Sequence, residues 1–182
     1  MTVVAWYSAA VTIVSVVLLL SQAYRMVLFP ALIRTLNESP AATRRLLKRS
    51  VLIMLGSAVP IAAGITWLAP QMITFLYGNT FGNSVPVLQG LIWGVVFFFV
   101  NVPLVRFLLA SGEQSTVWRM FLISLTVNVT SNLILIPQIG IIGSVYARLA
   151  SSSLFCALAG WQTVRSLKRL KAKPLAPTVS NF

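Results

Sequence analysis

The side chains that most often perform catalysis or hold a metal are scarce in this sequence. It contains no histidine and no aspartate, only two glutamates, and a single cysteine, Cys156, inside an apolar stretch. Ser-His-Asp and Cys-His triads, histidine metal sites and paired carboxylates inside a membrane span therefore cannot be assembled from this chain. One cysteine also excludes an internal disulfide or cysteine metal site. We expect no enzyme activity, no catalytic residue, no cofactor and no metal site.

The residues that could do chemistry are arginines placed within apolar segments. Arg148 lies well inside one such segment, with Ser144 and Ser152 one helical turn away on either side. Its guanidinium could enter a polar cavity and attract an anion such as pyrophosphate, or it could snorkel to the membrane surface. Arg25 and Arg106 lie near the ends of their segments, where snorkelling is the favoured interpretation.

Other polar residues recur at helical spacing within three apolar segments. They are Ser8, Thr12, Ser15, Gln22 and Arg25 in the first; Gln89, Trp93 and Asn101 in the third; and Ser124, Asn128 and Asn132 in the fourth. In lipid, polar side chains are costly unless they face another helix or water, so the spacing predicts inward faces. Interhelical hydrogen bonding and a water-filled cavity are both open interpretations. For a substrate cavity, the candidate residues are Gln22, Arg25, Asn101, Arg106, Asn128, Asn132 and Arg148.

The elements that must position these residues are membrane-spanning helices. Hydrophobic residues make up 58% of the chain and charged residues 9%, whereas about a quarter of a soluble domain is charged. Because a helix rises about 1.5 Å per residue, about 20 apolar residues cross the hydrocarbon core. We predict an all-α integral membrane bundle of about five transmembrane helices. The predicted spans are residues 3–28, 51–68, 85–110, 116–136 and 141–164, so residues 1–164 form the transmembrane region and residues 165–182 a basic cytoplasmic tail.

Prolines mark several of the predicted helix ends. The first span is expected to stop near Pro30 and the second just before Pro70, because proline has no backbone N–H to continue a helix. Ser39 followed by Pro40 predicts an N-cap and the start of a short interfacial helix ahead of the second span.

The net charge of +12, from fourteen basic and two acidic residues, could indicate a nucleic-acid binder. The basic residues instead cluster at 34–49 and 165–173, between apolar segments, which is a loop pattern and not a basic face. Cytoplasmic loops collect lysine and arginine, so the alternation predicts an external N-terminus and a cytoplasmic C-terminus. We expect a multi-pass protein of the cytoplasmic (inner) membrane that contacts membrane lipid and no nucleic acid.

Several short motifs occur in a set order along the chain. They are Leu28-Phe29-Pro30, Leu32-Ile33-Arg34, Leu68-Ala69-Pro70, Phe75-Leu76-Tyr77-Gly78, Asn132-Leu133-Ile134-Leu135-Ile136-Pro137 and Gly140-Ile141-Ile142-Gly143. Together they resemble the C-terminal part of the polysaccharide flippases, the O-antigen-type lipid-linked oligosaccharide exporters of the MOP/MATE-like superfamily. The resemblance covers about residues 4–164.

The resemblance implies part of a flippase that moves a polyprenyl-diphosphate-linked glycan across the cytoplasmic membrane by alternating access, for polysaccharide biosynthesis. Members of that family have two helical lobes about a central cavity, and this chain resembles only part of the C-terminal lobe. The resemblance therefore also implies a missing N-terminal lobe or another subunit as partner. The family has a small residue at the position of Arg148, so the role of this arginine rests on its local surroundings.

Two other functions remain open from the sequence. The chain could belong to a multidrug-exporter-like transporter, which should prefer acidic groups in its cavity, or to a membrane protein that only packs with partners. A cationic cavity would favour the flippase, because it suits a diphosphate.

Overall fold

The computed structural model describes residues 3–82 and 84–172, and almost all of them are helical. The helices are α1 (Val3–Glu38), α2 (Pro40–Tyr77), α3 (Ser84–Ala110), α4 (Gln114–Ile139) and α5 (Ile141–Ala172), with a short 3-10 helix at Asn79–Phe81. Helices α2 to α5 are long and apolar enough to cross a membrane. Helix α1 makes a fifth span if its two parts, Ala5–Leu19 and Tyr24–Glu38, bent by 40°, count as one. The predicted all-α membrane bundle is confirmed, with no strand in the described ranges.

Helix α1 does not stop near Pro30 but continues to Glu38. A proline inside a helix removes one backbone hydrogen bond. Here the proline lies on an exposed side, while Leu28 and Leu32 on either side of it are buried against other helices. Packing of these leucines stabilises the continued helix against the local effect of the proline.

Helix α2 begins where the sequence predicts a cap, but it is one helix and not two. The side chain of Ser39 accepts a hydrogen bond from the backbone N–H of Ala42, and Pro40 occupies the first turn. The expected interfacial helix then runs without a break into the second span. The helix passes Pro60 and Pro70 and ends at Tyr77.

Two groups of buried apolar side chains show how the helices run. The first group contains Ala10 to Val17 of α1, Met54 to Ile73 of α2, Val87 to Phe99 of α3 and Val145 of α5. The second contains Leu28 and Leu32 of α1, Leu47 of α2, Leu104 to Leu108 of α3, Met120 of α4 and Ala159 of α5. Helices α1, α3 and α5 therefore pass from the first group to the second, and α2 passes in the opposite direction.

The basic residues outside the spans gather beside the second group, which we call the basic end of the bundle. The opposite end, with the first group, is called the uncharged end. The basic residues at 34–49, around the junction of α1 and α2, belong to the basic end, as do Arg119 in α4 and the basic residues at 165–169 in α5. Basic residues that are far apart in the sequence therefore lie at the same end of the bundle.

Helix α3 is the central helix of the bundle. In the most apolar 18-residue stretch of α3, 61% of the residues are buried, whereas in the corresponding stretch of α4 only 6% are buried. Helix α3 also contacts α1, α2, α4 and α5. Close packing depends on small residues: a Cβ added at Gly143 of α5 would lie 2.7 Å from the backbone of Leu135 in α4, and one at Gly90 of α3 would overlap Val145. Glycine at these positions lets neighbouring helices approach.

Helix α5 continues beyond the predicted span, through Arg165 and on to Ala172. The first part of the predicted basic tail is therefore helical. Residues 173–182, which complete that tail, lie outside the described residues. The division into a transmembrane region and a cytoplasmic tail stays a prediction.

Candidate functional site

A cavity of about 450 Å³ lies between four of the helices. Its walls come from Arg25 of α1, residues 98–109 of α3, residues 121–128 of α4 and residues 148–155 of α5. We call it the main cavity. Because α3 is central and packs closely against α1, the cavity forms where α4 stands away from α3 and pairs with α5 instead.

The main cavity combines apolar walls with three arginines. Phe98, Phe121 and Phe155 belong to the apolar wall, and the arginines are Arg25, Arg106 and Arg148. Neither glutamate is among the lining residues, so within the described chain the cationic charge in this cavity is not balanced by an acid. An apolar cavity with unbalanced positive charge attracts an anion, because the surrounding groups screen the charge less than bulk water does.

A second, smaller cavity of about 370 Å³ adjoins the first at the same arginines. It is lined by Gln22, Arg25, Met26, Phe29, Pro30 and Arg106. Arg25 and Arg106 therefore belong to both cavities. An anion bound by these two residues would be accessible from either side of the pair.

Aromatic rings hold these two arginines within the helical bundle. The Cζ atom of Arg25 lies 5.0 Å from the centroid of the Phe98 ring, and that of Arg106 lies 5.9 Å from the centroid of Phe29. A nitrogen of Arg25 also lies 3.4 Å from the hydroxyl oxygen of Ser21, which is a long hydrogen bond. Both arginines line the cavities, and snorkelling to the membrane surface, which the sequence favours for both, stays a prediction. Cation–π contacts leave the guanidinium N–H groups free for an anion.

The amides of α4 are held by a small hydrogen-bond network with α5. Nδ2 of Asn128 donates to Oγ of Ser151 at 3.0 Å, and that hydroxyl donates in turn to the backbone oxygen of Arg148 at 3.0 Å. Nδ2 of Asn132 lies 2.8 Å from the backbone oxygen of Asn128 and 3.2 Å from its Oδ1. Asn132 thus supports Asn128, and the network ties α4 to the turn of α5 that carries Arg148.

The structure brings together most of the candidate residues. Five line the main cavity: Arg25, Asn101, Arg106, Asn128 and Arg148. Gln22 lines only the smaller cavity, and Asn132 lines neither. Contact with a substrate stays a prediction for all seven.

The polar stripe predicted for α1 does not face the other described helices along its whole length. Ser8, Thr12 and Ser15 are exposed, and each hydroxyl donates to a backbone oxygen of its own helix. Such local bonds satisfy a hydroxyl without any neighbouring helix. The buried side of this part of α1 is apolar instead, with Ala10 and Val14 among its residues.

Sequence reasoning missed the aromatic part of the main cavity. In a membrane span apolar residues occur on every side, so Phe98 and Phe121 carry no periodic signal of their own. Their positions relative to polar residues did hold information: Phe98 precedes Asn101 by three residues, and Phe121 precedes Ser124 by three. This spacing places each ring on the same helix face as a polar group.

Comparison with known proteins identifies the family of this chain. The family model described as lipid II flippase MurJ matches residues 1–180 of the chain. No curated protein and no solved structure matches it. The family match spans all five helices and both cavities.

Proposed function

We propose, from the premise that this chain belongs to the lipid II flippase MurJ family, that it forms the part of a flippase that holds the diphosphate of a lipid-linked saccharide during its passage across the membrane. A flippase is a transporter and not an enzyme. The family description names lipid II, which makes lipid II the first candidate for the saccharide carried here. An O-antigen-type oligosaccharide, suggested by the sequence motifs, is the second.

The convergence of three arginines on one uncompensated cavity carries this proposal. Arg25, Arg106 and Arg148 come from three different helices, and all three line the main cavity. Guanidinium groups form strong, often bidentate hydrogen bonds with phosphate oxygens. A diphosphate presents several such oxygens together, so it fits three guanidiniums better than a singly charged anion does.

The same observation disfavours the other two functions. A multidrug exporter for cationic compounds needs acidic groups in its cavity, and Glu38 and Glu113 lie outside the lining residues of both described cavities. A protein that only packs with partners has no need for arginines without an acidic partner inside its membrane spans, because a charge at that position is costly unless a counter-charge or water compensates it. Arg25 and Arg106 are half-buried and Arg148 is exposed, so all three can be reached by a ligand. Ligand binding supplies the missing counter-charge.

We further propose that the chain lies in the cytoplasmic membrane with its basic end toward the cytoplasm. Lysine and arginine are retained on the cytoplasmic side and are attracted to its anionic lipids. A second helical lobe or subunit would then face the main cavity and complete an alternating-access pathway.

Lipid binding by the purified chain in lipid nanodiscs tests the proposal. The probe is lipid II, and the variants are Arg25→Gln, Arg106→Gln and Arg148→Gln. Since a charged hydrogen bond contributes about 1.5–3 kcal/mol, each change should weaken binding by about 10- to 100-fold. Arg45→Gln is the matched control, because it removes the same charge from an exposed position at the basic end.

One outcome of this experiment would reject the proposal. If the three cavity variants bind lipid II as tightly as Arg45→Gln does, the arginines do not hold the diphosphate. Tighter binding of a lipophilic cation than of lipid II would instead favour the drug-exporter function.

A further inference from the structure

Two polar side chains of the main cavity have hydrogen-bonding capacity that no described residue uses. Asn101 of α3 is 9% exposed and Ser124 of α4 is 8% exposed, and both line the cavity. Oδ1 of Asn101 and Oγ of Ser124 are buried without a hydrogen-bond partner in the described part of the chain. A buried polar atom without a partner costs about 1–3 kcal/mol, so such atoms usually serve a ligand or a water.

The two residues lie at the same level of the bundle. Asn101 is nine residues before Ala110, the end of α3, and Ser124 is ten residues after Gln114, the start of α4. The two helices are joined by a short turn at residues 111–113, so these positions differ in height by only about one helical residue, or about 1.5 Å. A ligand that occupies this level of the main cavity can therefore reach both side chains, since both line it.

Each of these polar groups has an aromatic ring on the same helix face. Phe98 lies three residues before Asn101, and Phe121 lies three residues before Ser124; both rings line the cavity. The ring of Phe98 is already covered by the guanidinium of Arg25. The side chain of Phe121 is 50% exposed, so its ring is open to a ligand in the cavity.

A neutral hydrogen-bonding pair beside an open aromatic ring fits a sugar better than a phosphate. A pyranose presents apolar C–H groups on its faces and hydroxyl or acetamido groups around its edge. The faces pack on an aromatic ring, and the edge groups pair with a carboxamide and a hydroxyl, each of which can donate and accept. An ionised phosphate cannot form a hydrogen bond with the carboxamide oxygen of Asn101, because the phosphate oxygens and the carboxamide oxygen are all acceptors.

The side chains that suit a sugar lie next to the arginines. Asn101 is five residues from Arg106 along α3, a distance of about 7.5 Å along the helix axis, and Arg25 contacts the ring of Phe98, one turn from Asn101. A sugar esterified directly to a diphosphate would therefore reach Asn101 while the phosphates stayed at the arginines.

We propose that Asn101, Ser124 and Phe121 form a subsite for the hexose attached directly to the diphosphate. This inference rests on the proposed function, that the main cavity holds a polyprenyl-diphosphate-linked saccharide. Ser124 turns its hydroxyl to the sugar by rotation about χ1, and Asn101 turns its amide by rotation about χ2. The ring of Phe121 packs on a face of the sugar.

Two lipids that differ only in the sugar test the subsite. The probes are polyprenyl diphosphate and polyprenyl-diphosphate N-acetylhexosamine of the same chain length, measured with the purified chain in lipid nanodiscs. Asn101→Leu and Ser124→Ala should each weaken binding of the sugar-bearing lipid by about 3- to 10-fold, the value of one neutral hydrogen bond. Binding of the sugar-free lipid should change by less than about twofold, because that lipid makes no such bond.

A matched control separates the subsite from a general effect of removing a buried hydroxyl. Ser50 of α2 is 1% exposed, its Oγ also has no partner among the described residues, and it lines neither cavity. Ser50→Ala should leave binding of both lipids unchanged. If Asn101→Leu fails to fold, Ser124→Ala measured against Ser50→Ala decides the question alone.

The possible failures are distinguishable. If the wild-type chain binds both lipids and the subsite variants weaken neither, or weaken both equally, the sugar subsite is overturned while the proposed function stands. That result would leave Asn101 and Ser124 as groups hydrated by water. If the wild-type chain binds neither lipid better than an uncharged lipid, the proposed function fails, and the subsite is overturned with it.

Discussion

The side-chain amide of Gln162 donates a hydrogen bond to the carboxylate of Glu113, with 2.6 Å between Nε2 and Oε2. Glu113 lies in the turn between α3 and α4, whereas Gln162 lies on α5 and is 7% exposed. The two residues are 49 positions apart in the sequence. This bond therefore fixes α5 against the α3–α4 turn at the basic end of the bundle.

Replacing Gln162 by leucine should destabilise the protein by about 1–2 kcal/mol. The change keeps the size of the side chain but removes the donor, which leaves a partly buried carboxylate without its partner. The free energy of unfolding in mixed micelles measures the effect. Glu38→Gln is the control, because it breaks an ion pair in which the side chain of Arg34 is 82% exposed and that of Glu38 is 51% exposed. This change should cost at most about 0.5 kcal/mol. Equal losses in the two variants would contradict a structural role for the Gln162 bond.

Gly143→Ala should destabilise the bundle by several kcal/mol. The new Cβ would lie 2.7 Å from the backbone of Leu135, which cannot move aside as a flexible side chain can, and forcing it would separate α4 from α5. Gly64→Ala in α2 is the matched control, because nothing lies within 4 Å of its added Cβ. This control should stabilise its helix by about 0.5–1 kcal/mol. Thermal unfolding of both variants gives the comparison, and an unaffected Gly143→Ala variant would show that α4 and α5 pack less closely than described.

Asn128→Val should weaken the pairing of α4 with α5 by about 1 kcal/mol, the usual size of an interhelical hydrogen bond in a membrane. It removes the donor to Ser151 and leaves that hydroxyl with the backbone oxygen of Arg148 alone. A double-mutant cycle with Ser151→Ala measures the coupling. Thr126→Val is the control, since its hydroxyl donates only to Leu122 of its own helix. A coupling energy near zero would argue against the network.

Cysteine labelling should place the basic end in the cytoplasm. In a Cys156→Ala background, Arg44→Cys and Lys168→Cys should both react with a membrane-impermeant maleimide only when it is supplied from the cytoplasmic side, because positively charged segments are retained there. Asn79→Cys, at the exposed 3-10 helix of the uncharged end, should react only from the outside. Labelling of Arg44→Cys and Lys168→Cys from opposite sides would overturn the predicted topology.

The candidate site was partly accessible to sequence reasoning. Arg148 could be identified because a guanidinium within an apolar segment is costly and must face something polar. Asn101 and Asn128 were identified from helical spacing. The sequence does not show that Arg25 and Arg106 enter cavities, because their partners Phe98 and Phe29 come from other helices. Ser151 was missed for the same reason: its bond to Asn128 joins residues of two different helices.

The amino-acid sequence alone determined that this chain is an all-α membrane protein, because segments of about 20 apolar residues can satisfy their backbone hydrogen bonds in lipid only as helices. The sequence also excluded Ser-His-Asp triads, Cys-His triads and histidine metal sites within this chain, since it contains no histidine and no aspartate. Only the tertiary structure decided that the helix continues through Pro30, because the buried neighbours of that proline outweigh its local preference. It alone also decided that three arginines surround one cavity, because helix rotation and packing set where each side chain points.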